Sequence, residues 1–317
     1  MRKKVLLVLL TLTVIFTTAA CKNKKINEEN NITPSTALDN KENYQVEDKL
    51  DPRKEEKKDE AVKEEHDKSN TTKNSNISVL VDEEKLDKTE RNWWYTPKKN
   101  GEIPLGPKEG MEYNKKYMGY YLGDTTKKYI YLTFDEGYEN GYTPRILDIL
   151  KKEGVHAGFF VTTPYIKEHP ELVKRMVEEG HVVGNHSTTH PSMAQVALKG
   201  KGAFNKEFLE VENEFKKVTG RDIDKFFRSP MGVFSETSMY YTALLGYKSI
   251  FWSFAYGDYD ANKQPDPIYA KNLIIERTHN GGIYLLHAMS KTNTDILEEI
   301  IGYWKSQGFQ FKSLNDL

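Results

Sequence analysis

The stretch Tyr129-Ile130-Tyr131-Leu132-Thr133-Phe134-Asp135-Glu136-Gly137 is an apolar run that ends on two adjacent acids and a glycine. Its aromatic and β-branched content reads as a buried strand over 129–135. Asp and Gly are turn formers, so taken alone the ending is a plain turn after a strand. Outward from it, further strands are read at 158–162, 181–186, 226–229, 247–254, 282–287 and 309–313. Amphipathic stretches separate them at 143–153, 167–179, 204–218, 235–245, 267–278 and 292–307. Such βα alternation predicts parallel strands covered by helices, as an open doubly wound sheet or a closed barrel. Seven strands, with no Gly-x-Gly-x-x-Gly turn after the first, favour the barrel.

Ionisable residues fall at the ends of these strands. Asp135 ends the first, His186 the third, Arg228 the fourth and His287 the sixth, while Asp258 follows the fifth shortly. In a barrel all those ends face one mouth, where active sites of this architecture sit. Each residue also has a plain structural reading: a loop aspartate, a strand and tight turn at Arg228 to Gly232, a satisfied core histidine at 287. His181 reads as an ordinary strand-start residue. His186 and His190 have the i, i+4 spacing that puts two imidazoles on one side of a helical turn, within reach of one metal. Their joint occurrence at strand ends is what points to a site.

With Thr133-Phe134-Asp135-Glu136-Gly137, His186 to His190, Arg228 to Gly232 and Leu285-Leu286-His287 in that order, the chain resembles the polysaccharide deacetylases, carbohydrate esterase family 4. The resemblance covers about residues 93 to 317 and implies a distorted (β/α)7 barrel, the NodB-homology domain, with a divalent metal, commonly zinc. It assigns Asp135 as general base, His287 as general acid, Arg228 as partner of the base, Asp258 as partner of the acid, and His186 and His190 as metal ligands. Glu136 stands where the wider family has an aspartate as third ligand and a narrower branch an asparagine that does not ligate, so both roles stay open for it. Pro230, Tyr259, Leu286 and Asn140 accompany the motifs as expected substrate-binding residues, with Tyr259 replacing the tryptophan of the family's usual Asp-Trp pair. Tyr120 to Thr125 and Gly137 to Thr143 resemble that narrower branch, the δ-lactam-biosynthetic de-N-acetylases acting on muramic acid of peptidoglycan. The implied activity is metal-dependent removal of acetyl from N-acetylmuramic acid in spore cortex; N-acetylglucosamine deacetylation, or a wall-binding module without activity, are the alternatives.

The start of the chain reads differently. Arg2-Lys3-Lys4, an apolar run over 5–17 and Thr18-Ala19-Ala20-Cys21 make an export signal whose apolar run is shorter than the about 20 residues of a spanning helix. The signal resembles a lipobox, with Thr18 in place of the usual leucine, and implies a lipid anchor at Cys21, the only cysteine. Ordinary signal cleavage near Ala20 is the simpler alternative. Residues 22–90 hold 14 Lys/Arg, 19 Asp/Glu and one aromatic residue, Tyr44. Such a composition is expected to remain a disordered charged tether, reaching on the order of 45 Å, with a solvated single helix as the other possibility. An ordered lead-in over 91–127 and the catalytic barrel over 128–317 follow. Expected partners are peptidoglycan glycan strands and, through the anchor, the membrane, with the enzyme exported and monomeric. Residues 91–317 carry 29 basic and 28 acidic side chains, which leaves no electrostatic footprint for nucleic acid. A serine hydrolase is disfavoured because no Gly-x-Ser-x-Gly elbow is present.

Overall fold

The computed structural model describes residues 81–317. In chain order the strands are β1 (Arg91–Asn92), β2 (Gly119–Tyr120), β3 (Tyr129–Glu136), β4 (Gly158–Val161), β5 (Val182–Asn185), β6 (Phe226–Phe227), β7 (Val233–Phe234), β8 (Lys248–Ile250), β9 (Gly282–His287) and β10 (Gln310–Phe311). The helices are α1 (Lys108–Lys116), α2 (Thr143–Glu153), α3 (Thr163–Glu168), α4 (Pro170–Glu178), α5 (Met193–Leu198), α6 (Lys201–Thr219), α7 (Glu236–Leu244), α8 (Pro267–Glu276) and α9 (Lys291–Ser306).

The sheet curls in the order β9-β3-β4-β5-β6-β8-β2, and every pairing along it is parallel. It closes where the chain beyond β8 returns to β9: the Ser253 N–H donates to the Ile283 carbonyl at 3.0 Å and the Leu285 N–H to the Phe254 carbonyl at 2.9 Å. This is the distorted barrel of the expected class. The distortion lies in its short members. β10 pairs only with the first half of β3, at Tyr129 and Ile130, and β4 takes the second half. The strand expected at 309–313 is therefore a short splint rather than a full stave, and β2, from the segment read as lead-in, joins β8 instead.

Side-chain alternation along the strands builds two apolar layers. Tyr131, Phe160, Val182, Phe226, Ile250 and Ile283 form one cluster inside the ring. Ile130, Leu132, Phe134, Phe159, Val161 and Val183 have the opposite parity and join the core beneath the helices. That outer layer meets amphipathic helices such as α6, where Phe204, Phe208, Val211 and Phe215 are buried on one stripe. The same parity places the chemistry. Two or four residues beyond the inner apolar residues of β3, β5, β6 and β9 come Asp135, His186, Arg228 and His287. Gly184 is needed on that inner face, since a Cβ there would lie 2.7 Å from the Phe226 carbonyl oxygen and 2.8 Å from the Phe160 ring.

Three segments differ from the sequence expectation. The helix expected over 167–179 is two helices, broken at His169 because the residue before Pro170 is driven out of the helical region. The His186–His190 segment is not a helical turn: Ser187 and His190 have φ of 67° and 55°. The charged tether expected through residue 90 ends sooner. Leu86 is buried, the Asp87 N–H donates to Glu236 Oε2 at 2.9 Å, and Glu90 accepts from Ser192 and Gln195, so this piece gains the burial and bonds that its composition alone does not provide. The export signal, Cys21 and the rest of the tether lie outside the described residues.

Candidate active site

A cavity of about 720 Å³ opens at the C-terminal ends of the parallel strands. Its lining includes Asp135, His186, His190, Tyr259 and His287, which arrive from β3, the turn after β5, the loop after β8 and β9. Asp135 and His287 are register partners on adjacent strands. The chain thus brings together residues separated by half its length.

Arg228 is wholly buried beneath this cavity and donates once from each of its three side-chain nitrogens. Nη1 pairs with Asp135 Oδ1 at 2.8 Å, Nη2 donates to Thr133 Oγ1 at 2.9 Å and Nε to the Ile250 carbonyl at 3.1 Å. Its guanidinium lies 4.2 Å from the centroid of the Phe160 ring. Burial alone would raise the Asp135 carboxyl, but the Arg228 guanidinium, with His287, outweighs it and holds the group below its ordinary value. Asp135 is therefore an ionised, oriented base.

His287 carries the opposite arrangement. Its Nδ1 lies 2.7 Å from Asp258 Oδ1, and its backbone N–H donates to Asp258 Oδ2 at 2.9 Å. Burial would lower this imidazole, yet the hydrogen bond and charge of Asp258 prevail and raise it. Nδ1 is thereby occupied, and Nε2 is left to carry a proton to the cavity. Tyr259 stands beside the ring, 6.0 Å between centroids and steeply tilted.

The two remaining histidines are kept neutral. Burial pushes His186 down to about 4 and lowers His190 as well. The Arg228 carbonyl only accepts, so His186 Nδ1, 2.8 Å away, carries the hydrogen and leaves the Nε2 lone pair free. That nitrogen sits 3.6 Å from Asp135 Oδ2, and the His186 and His190 ring centroids are 4.9 Å apart. Neutral, converging imidazoles with one tautomer fixed by a backbone carbonyl suit a divalent cation. Their approach, expected from a helical turn, is produced by two left-handed residues instead.

Glu136 does not complete that pair. One residue along the strand from Asp135, it projects to the other face, where Oε2 accepts from Thr143 Oγ1 at 3.4 Å and Oε1 has no partner. Burial, with Glu139 nearby, raises its carboxyl well above the ordinary value. Among the described residues no group of three His, Cys, Asp or Glu side chains is placed to hold a metal. Leu286 fails as a substrate contact for the same reason of parity: it is in the outer core, and Leu285 lines the cavity. Pro230 is buried behind the wall, where Met231 is the exposed residue. Asn140 has a different part, donating from Nδ2 to the Met289 carbonyl at 3.2 Å and so tying the loop after β3 to the loop after β9.

The sequence model of the polysaccharide deacetylases matches residues 122–250. Among curated proteins, the chain is 43% identical over 226 residues to the peptidoglycan-N-acetylmuramic acid deacetylase PdaA of Bacillus subtilis, covering 71% of this chain and 85% of that protein. The chain belongs to the polysaccharide deacetylase family. Solved structures of family 4 carbohydrate esterases agree. PdaA of Bacillus subtilis superposes with a TM-score of 0.69 at 43% identity, covering 73% of this chain and 97% of that one. A family 4 carbohydrate esterase from Bacillus anthracis gives 0.60 at 42% identity, with 73% and 97% covered. In this member of the family, sequence reasoning did not single out Thr133, which holds Arg228, or Leu285, Tyr256 and Met231, which line the cavity. Strict alternation back from Asp135 and His287 finds the first two.

Proposed function

We propose that the protein removes the acetyl group from N-acetylmuramic acid in peptidoglycan, outside the cytoplasm, and so contributes to muramic-δ-lactam formation in spore cortex. The observation that carries the chemistry is the register pairing of Asp135 with His287, each beside a buried partner of opposite charge, Arg228 and Asp258. The 43% identity to a muramic acid deacetylase supports the choice of sugar. The apolar export signal and lipobox-like Cys21 support action at the outer face of the membrane or in the wall.

Asp135, ionised, takes a proton from a water as that water's oxygen bonds to the acetyl carbon and gives a tetrahedral intermediate. His287, protonated, delivers a proton from Nε2 to the sugar nitrogen as the C–N bond breaks, because an unprotonated amine is a poor leaving group. Acetate and the free amine result. A divalent cation, zinc in this reading, would be held by His186 Nε2 and His190 and would supply Lewis-acid polarisation of the acetyl carbonyl. Tyr259 offers a flat wall to the sugar beside the proton donor.

The test is incubation of the purified protein with amidase-treated peptidoglycan, with and without chelator, followed by product masses. Loss of acetyl from muramic acid that stops with chelator is expected. Acetyl loss confined to glucosamine residues would move the activity to the other sugar, and chelator-resistant turnover would remove the cation from the reading.

A further inference from the structure

Asp258 is fully buried, and its two oxygens are engaged differently. Oδ1 faces Nδ1 of His287, while Oδ2 accepts both the His287 N–H at 2.9 Å and Nδ2 of Asn293 at 2.5 Å. Asn293 lies in the first turn of α9 and is only 1% exposed. Its amide can face one way only. Nδ2 also reaches the His287 carbonyl at 3.2 Å, so a reversed amide would set its oxygen against two acceptors. Its Oδ1 in turn accepts the hydroxyl of Tyr256, a residue of the cavity wall. The same helix turn holds the Asp258 backbone by a second route: Ser290 Oγ donates to Gln264 Oε1 at 2.5 Å, and Gln264 Nε2 donates to the Asp258 carbonyl at 3.1 Å.

We propose that Asn293 is a positioning residue for the proton donor, holding the Asp258 carboxylate so that one oxygen stays on Nδ1 of His287, with Tyr256 locking the amide. This rests on the reading of His287 as general acid. A carboxylate bound through one oxygen by N–H groups from two elements cannot rotate, and an imidazole tied to it keeps Nε2 aimed at the cavity. Remove the Asn293 donor and Oδ2 keeps only the His287 backbone N–H to oppose rotation of the carboxylate. Asn293 itself does not line the cavity, so its effect should fall on turnover rather than on binding.

The charged groups acting on His287 are Asp258, Asp135 and Arg228, from the loop after β8, β3 and the end of β6, and the titratable His190 faces it from the turn after β5. Asn293→Ala leaves all four in place. On peptidoglycan it should lower kcat on the order of tenfold, as loss of an outer-shell orienting bond does, with KM unchanged and the alkaline limb of the pH profile moved to lower pH. Asn293→Asp, equal in shape, sets a second carboxyl beside Asp258 and should work only toward acid pH, where it is protonated and can donate as the amide does. Tyr256→Phe should give a smaller kcat loss in the same direction. An unchanged kcat and limb in Asn293→Ala, or an Asn293→Asp profile like the parent's, overturns the proposal. A limb that moves upward also overturns it, because Asn293 would then only moderate the basicity of Asp258. If Asn293→Ala does not fold, the other two variants decide. His287→Ala is the separate control: full activity there would sink the general-acid reading itself, whereas an inactive His287→Ala with parent-like Asn293 variants sinks only the positioning role.

Discussion

Asp135 and Glu136 are adjacent acids, both buried, at the end of one strand, yet their surroundings shift their carboxyls in opposite directions. Asp135 faces the barrel interior and meets Arg228 at 2.8 Å; burial is outweighed and the carboxylate persists. Glu136 faces the helices, where its neighbours are Thr143, Tyr165 and a second acid, Glu139, and burial prevails. Burial has unequal consequences for the two because only one side of the strand supplies a cation. The barrel interior is an ionic site on an apolar floor, whereas the outer layer is a packed core with one acid that no cation pairs among the described residues.

The comparison is broken most severely at the proposed base. Asp135→Asn keeps the shape and the Arg228 contact but cannot take a proton, and deacetylation measured by acetate release should fall about 10²- to 10⁴-fold. A residual rate near that of the parent would show that the base lies elsewhere. Arg228→Met should turn Asp135 into a second Glu136, buried with no cation. Leaving a buried charge uncompensated costs about 3–5 kcal/mol, and denaturant unfolding at neutral pH should show a loss of that order. Acidification should reduce the loss, because protonating Asp135 removes the unpaired charge.

Glu136→Gln is the mildest change and sharpens the contrast. Activity should stay at the parent level, because this side chain does not reach the cavity. Stability should change with pH. The folded-state carboxyl lies well above its ordinary value of 4.5, so its contribution is fully present below the unfolded value and is lost as pH rises through the folded one. Parent protein should therefore weaken from pH 4.5 toward neutrality relative to the variant, by on the order of 1 kcal/mol for each unit of raised value crossed. Thermal melts of both proteins across that range read the difference directly. Parallel melting curves at every pH would mean that Glu136 is ionised.

Much of the site could be read from the chain because its residues sit on strand ends with short-range signatures. The strand at 282–287 has the expected bounds, and α2 spans 143–153 as its amphipathic pattern indicates. The motif makes Leu286 an expected substrate contact and keeps both roles open for Glu136, whereas alternation next to Asp135 and His287 turns both away from the cavity. The approach of His186 to His190 was expected for the wrong backbone reason, since two left-handed residues are not visible in Ser187 and His190 themselves. The lead-in was legible only as aromatic. Its role emerges from contacts with distant segments, such as Trp93 Nε1 donating to the Trp252 carbonyl at 2.9 Å and Tyr95 bonding the Ala255 peptide at 2.7 and 3.1 Å.

What the amino-acid sequence determined by itself is local and periodic: which segments extend, which coil, and that acids, imidazoles and an arginine close the strands. What the tertiary structure decided is which parity of each strand faces inward, which cation stands beside which acid, and which helix turn reaches the Asp258–His287 pair. Strand periodicity is a property of neighbouring residues, but the inward face is chosen only when the ring closes and buries one side of all its strands together. Charge state follows that choice, since a buried carboxyl keeps its charge only where folding brings a cation to it.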